Sequence, residues 1–114
     1  MLVMSNDYSK SVKSMLIKMK ERGIEFGKPI PFMESESGMS EEEIRKGLFN
    51  FDELEFTEKQ DHDGETRYAL YFVHNRRKGH RFVITFREKI RLITVFPLGR
   101  HTLAKYYKKK FKKI

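Results

Sequence analysis

The sequence predicts an α+β fold, with two N-terminal helices packed on one face of a four-stranded antiparallel sheet and a basic C-terminal helix after it. Three observations carry this. Apolar residues recur at helical spacing before Gly23, alternate with polar ones from Leu54 to Phe96, and return to helical spacing after Pro97. At 114 residues the chain has the length of one domain, so residues 1–114 are expected to share a single core.

The first helix is predicted over Ser9–Arg22, where Tyr8, Val12, Met15, Leu16 and Met19 fall on one face. Asn6 or Asp7 can cap its start, and Gly23 can take the left-handed position after its end. Residues 24–38 hold Gly27, Pro29, Pro31 and Gly38 and read as a loop, with a short extended piece at Ile24–Phe26. The second helix opens on a capping box, Ser40 with Glu43, and Met39 can pack on Ile44 as a staple. It is expected to end near Phe49-Asn50.

The meander follows. Leu54 and Phe56 mark a half-exposed edge strand, and Asp63-Gly64 within the turn His62–Glu65 is a strong hairpin signal. Strands are predicted at Arg67–His74, Arg81–Arg87 and Ile90–Phe96, with turns at Asn75–Gly79 and Glu88-Lys89. Pro97 and Gly99 end the sheet. The last helix is predicted from Thr102 to the C-terminus, with a stripe of Leu103, Tyr107, Phe111 and Ile114 and with Tyr106 beside it. Strict alternation puts Leu54, Phe56, Tyr68, Leu70, Phe72, Phe82, Ile84, Phe86, Ile90, Leu92 and Phe96 on an apolar face under the helices. The opposite face then holds Arg67, Ala69, Tyr71, Val73, Arg81, Val83, Thr85, Arg87, Arg91, Ile93 and Val95.

Charge is segregated along the chain. Residues 1–65 carry 9 Lys/Arg against 15 Asp/Glu, whereas residues 66–114 carry 15 against the single acid Glu88. A field of one sign over one side of a molecule attracts a polyanion through release of its counterions. A sheet face of arginines and Tyr71 suits phosphate contact and base stacking. The alternative is packing, in which arginine stems lie over aliphatic neighbours or the last helix covers Val83, Ile93 and Val95. The hairpin Arg76-Arg77-Lys78 and the run Arg100, Lys105, Lys108, Lys109 and Lys110 extend the basic surface. Five lysines in the last seven residues exceed what a helix macrodipole needs. RNA is therefore the expected ligand, with Arg67, Arg76, Arg77, Lys78, Arg87, Arg100, Lys105, Lys108, Lys109 and Lys110 as contacts.

Other chemistries are poorly supplied. There is no cysteine, hence no disulfide or thiolate zinc site, and Asp61-His62-Asp63 lacks metal-ligand spacing. No phosphate loop, dinucleotide glycines or serine elbow occurs, so neither cofactor nor metal is expected. No apolar run is long enough to cross a bilayer, and Met1-Leu2-Val3-Met4 is too short for a signal-peptide core. The expectation is a cytoplasmic protein without a membrane partner. Metal-independent RNA cleavage can run on His, Arg, Lys and Tyr alone, and the basic half contains all four.

Two stretches carry a resemblance. Lys18–Ile24 followed by Met39–Ile44 is similar to the opening of small RelE-related domains. Ile90–Phe96 followed by Arg100–Tyr107 looks like the BrnT-type ending, a strand leading into a basic helix closed by tyrosines. The chain thus resembles the RelE-like toxin superfamily and, more broadly, barnase/colicin-like ribonuclease folds. The resemblance implies a metal-independent endoribonuclease of a toxin–antitoxin module, acting on mRNA that can be ribosome-bound and neutralised by an acidic antitoxin-like protein. It points to Arg81, Arg91, Arg100 and Tyr107: Arg81 and Arg91 would hold the scissile phosphate, and His101 or Tyr107 would transfer protons. The alternatives are a non-catalytic nucleic-acid-binding module and a protein-interaction module with opposed acidic and basic faces.

Overall fold

The computed structural model describes residues 6–111, with side chains through Tyr107. The fold is α+β. Helix α1 (Ser9–Met19) runs into a 3-10 turn at Lys20–Arg22, followed by strand β1 (Ile24–Phe26), helix α2 (Ile30–Ser37) and helix α3 (Glu41–Gly47). A 3-10 turn at Phe51–Glu53 then leads into β2 (Leu54–His62), β3 (Glu65–Asn75), β4 (Lys78–Phe86) and β5 (Ile90–Pro97), and helix α4 (Arg100–Phe111) closes the described chain. The sheet has five strands in the order β1-β5-β4-β3-β2, antiparallel except for the parallel pair β1–β5. None of the described helices is long and apolar enough to cross a membrane.

The expected four-stranded antiparallel sheet with two N-terminal helices is corrected in two places. Ile24–Phe26 joins the sheet as a fifth strand, paired with Ile90–Leu92. The stretch read as a loop contains α2. Pro29 stands at its N-cap, Pro31 lies in its first turn and Gly38 sits just past its end at φ 72°, the arrangement in which proline starts a helix and glycine stops one.

The main core lies between the sheet and helices α1–α3. Val12, Leu16, Met19, Met33, Ile44 and Leu48 pack on Leu54, Leu70, Phe72, Phe82, Ile84, Ile90, Leu92 and Val95. Burying each such side chain contributes about 1.5–3 kcal/mol. Ser40 and Glu43 form the expected capping box at α3. No side chain caps α1 at its first residue. Instead, the Asp7 carboxylate accepts from the Ser9 and Thr57 backbone N–H groups, tying the helix start to β2. At the first hairpin Asp63 and Gly64 both take positive φ, as a two-residue turn between strands requires.

Two β-bulges overturn part of the predicted face assignment. In β2 the register slips between Leu54 and Phe56, so Phe56 pairs with Tyr71 and lies on the outer face. Against β5 it slips at Val83/Ile84, leaving Ile93 unpaired. Val95 thereby turns into the main core opposite Phe82, and Phe96 turns outward opposite Arg81. One extra residue inverts every side chain beyond it.

A second, smaller core forms on the outer face, where α4 lies over β2 and β3. Val73, Leu103 and Tyr106 are buried there, with Phe56, Tyr71, Leu98 and Tyr107 packed around them. The described part of the helix stripe is therefore Leu103 and Tyr107 as expected, with Tyr106 beside them as the more deeply buried tyrosine. The predicted stripe members Phe111 and Ile114 lie outside the described side chains. Gly79 permits this packing. A Cβ there would stand 2.6 Å from the Phe72 carbonyl oxygen, 2.8 Å from Leu98 and 3.0 Å from Leu103.

Candidate nucleic-acid interface

Helix α4 divides the outer face and leaves a groove along one flank. The two-residue turn between β3 and β4 presents Arg76 and Arg77, and the first turn of α4 presents Arg100. Together with Leu98, Leu103, Ala104 and Tyr107 they line a groove of about 730 Å³. Three guanidiniums and one phenol ring thus face one concavity, with no carboxylate among its lining residues. Local structure explains the convergence. The Asn75 side-chain oxygen accepts from the Arg77 N–H, shaping the tip, and the Leu98 N–H donates to the Gly79 carbonyl, bringing the start of α4 beside it.

The opposite flank of α4 is chemically different. Its cleft, about 820 Å³, is lined by Tyr8, Phe56, Tyr71, Lys105 and Tyr106 but also by Glu58 and Asp61. The rings of Phe56 and Tyr106 stack at 5.9 Å, and Tyr71 and Tyr106 lie 5.2 Å apart. Burial pushes the Tyr106 phenol above its ordinary value, with Tyr71 and the Glu58 carboxylate adding to the shift. Lys105 sits 5.3 Å from the Tyr106 ring, on the acid-bearing flank rather than in the groove.

The arginine-studded sheet face is more neutral than its sequence suggests. Glu65 accepts from Arg67 at 2.9 Å and from Arg87 at 2.7 Å. Hydrogen bonds from Arg87 and Arg67 hold the Glu65 carboxyl below its ordinary value, and its bond raises Arg87. Arg91 donates to Glu25, its cross-strand partner on β1. The sheet face expected to meet phosphate thus has three of its arginines, Arg67, Arg87 and Arg91, already matched by carboxylates. Arg81 differs: its Nε donates to the Tyr71 hydroxyl at 3.2 Å, and it has no carboxylate partner among the described residues.

Nor do the four residues proposed for catalysis converge. Arg81 pairs with Phe96 and Arg91 with Thr85, four positions further along β4. At 3.3 Å per residue this separates their backbones by roughly 13 Å. His101 is exposed on the first turn of α4, and Tyr107 lines the groove. Of the expected contacts, Arg76, Arg77 and Arg100 therefore gather with Tyr107. Lys78 projects into a separate cleft with Glu43 and Glu53. The side chains of Lys108, Lys109 and Lys110 lie outside the described part.

One polar chain escaped the sequence reading. Glu53 Oε1 lies 2.6 Å from His74 Nδ1, His74 Nε2 lies 2.9 Å from His80 Nδ1, and His80 Nε2 lies 2.9 Å from the Ser37 carbonyl. His80 is buried at 3% exposure, and that burial pushes its imidazole pKa down despite the Ser37 bond. A carbonyl only accepts, so His80 donates from Nε2 and accepts at Nδ1. Both histidines fall at even positions, on the inner face by alternation, but they flank a turn whose cations dominate the reading. No family model, no curated protein and no solved structure matches the chain.

Proposed function

We propose that this chain binds RNA, with the groove between the β3–β4 turn and α4 as its phosphate-binding site. The observation that carries the reading is the groove itself: Arg76, Arg77 and Arg100 converge with Tyr107, and no acid lines the concavity. Guanidinium groups bind phosphate oxygens with two parallel hydrogen bonds, and a phenol beside them offers a base a stacking surface. The opposite flank of α4, with Glu58 and Asp61, supplies the contrast that directs a polyanion to one side.

The endoribonuclease activity that the RelE-like resemblance implies is a narrower form of the same proposal. It would need proton-transfer groups at the held phosphate, for which Tyr107 in the groove and His101 beside Arg100 are the candidates. The acidic antitoxin-like partner would then cover the same basic groove. Titration of labelled single-stranded RNA across a salt series tests binding, and electrophoresis of the RNA after incubation tests cleavage. Steeply salt-dependent binding is expected. Absence of binding at low salt overturns the proposal.

A further inference from the structure

The bulge in β5 turns Phe96 outward, opposite Arg81 in the β4–β5 register. A phenylalanine that should have been buried is instead 39% exposed. Beside it, Phe32 on α2 is 50% exposed. Between them stands Lys28, its ammonium 5.3 Å from the centre of the Phe32 ring and 5.7 Å from that of Phe96. Lys28 is paired with Glu36 at 3.2 Å, with both side chains partly exposed. A pair of that kind holds weakly, so the ammonium can leave it for a phosphate.

We propose that Phe96 and Phe32 form a base-stacking platform for single-stranded RNA, with Lys28 and Arg81 taking the flanking phosphates. The inference rests on the RNA-binding reading and extends it to the class of RNA. Phe96 precedes Leu98 by two residues, and Leu98 lines the arginine groove, so the end of β5 connects the platform to the groove. Charge complementarity selects the occupant. An apolar protein surface laid on these rings would strip water from Lys28 and Arg81 and offer neither a further partner, whereas a nucleotide offers each ring a flat face and each cation a phosphate. A duplex is unsuited, because its bases are already stacked and the major groove of A-form RNA is too narrow for side chains to read.

The chain contains no tryptophan, so Phe96→Trp installs a sole indole reporter. A single-stranded oligouridylate should quench its fluorescence, while an RNA duplex and an oligonucleotide of abasic sites should not. The double variant Phe32→Ala/Phe96→Ala should weaken oligouridylate binding ~10-fold or more, as expected for lost stacking, and leave abasic-strand affinity and the salt slope unchanged. Salt-dependent RNA binding with an unquenched indole and an unaltered double variant overturns the platform while leaving the groove standing. No RNA binding by the wild-type chain removes the underlying reading as well. A concentration-dependent dimer abolished by the double variant, with RNA affinity untouched, assigns the rings to a second copy of the chain and also overturns the platform.

Discussion

Removing the three groove arginines together should flatten the salt dependence of RNA binding, not merely lower affinity. Arg76, Arg77 and Arg100 are exposed, and none forms an ion pair among the described residues, so Arg76→Ala/Arg77→Ala/Arg100→Ala should leave thermal stability nearly unchanged. Each phosphate contact to a single strand contributes about 0.7 to the slope of log affinity against log salt, so losing three lowers its magnitude by about 2. Between about 50 and 200 mM salt, the wild-type advantage should then shrink by roughly fifteen- to twentyfold. Fluorescence anisotropy with one labelled RNA at several salt concentrations measures both slopes. A matched variant, Lys10→Ala/Lys13→Ala/Lys18→Ala, removes the same charge from α1, far along the chain from the groove. If it reduces affinity and slope as much as the arginine triple does, net charge rather than the groove governs binding, and the reasoning fails.

Arg91→Ala should affect RNA affinity less than twofold, because Arg91 is already matched by Glu25; a loss of about tenfold, the scale of a broken charged hydrogen bond, would show that it meets phosphate instead. Stability should fall as pH drops below about 6.5: folding depresses the His80 pKa, so between the folded value and the ordinary one the unfolded chain binds the extra proton. The slope for one proton reaches at most about 1.4 kcal/mol per pH unit. His80→Gln should flatten denaturant-derived stability over that window, whereas the lowered carboxyls Glu42, Glu43 and Glu65 titrate beneath it; an unchanged slope in the variant would exonerate His80. Gly79→Ala should cost about 1–3 kcal/mol by overpacking, since its Cβ meets backbone and two leucines, and should weaken RNA binding by displacing α4 from the turn; a neutral melt would show that the helix yields freely.

What the sequence determined by itself is what depends on neighbours along the chain. The capping box at Ser40, the turn at Asp63-Gly64 and the α1 stripe are local patterns, and the structure contains them, save that Met15 of the stripe is exposed. Helix α2 was also legible, because Pro29, Pro31 and Gly38 stand where prolines begin and glycines end a helix, yet the same residues read equally well as loop. Glu65 could have been found, since it shares odd parity, and hence a face, with Arg67. Tertiary structure decided the rest. Bulges at Glu55 and Ile93 depend on how a strand fits its partner, and period-two reading carries no mark of them, so Val95 and Phe96 exchanged faces unannounced. Parallel pairing of β1 with β5 joins residues 66 positions apart and sets Glu25 against Arg91. Whether a cation is free or matched depends on which distant carboxylate the sheet brings beside it. For that reason the arginines of the sheet face are largely neutralised, and those of the turn and α4 form the groove.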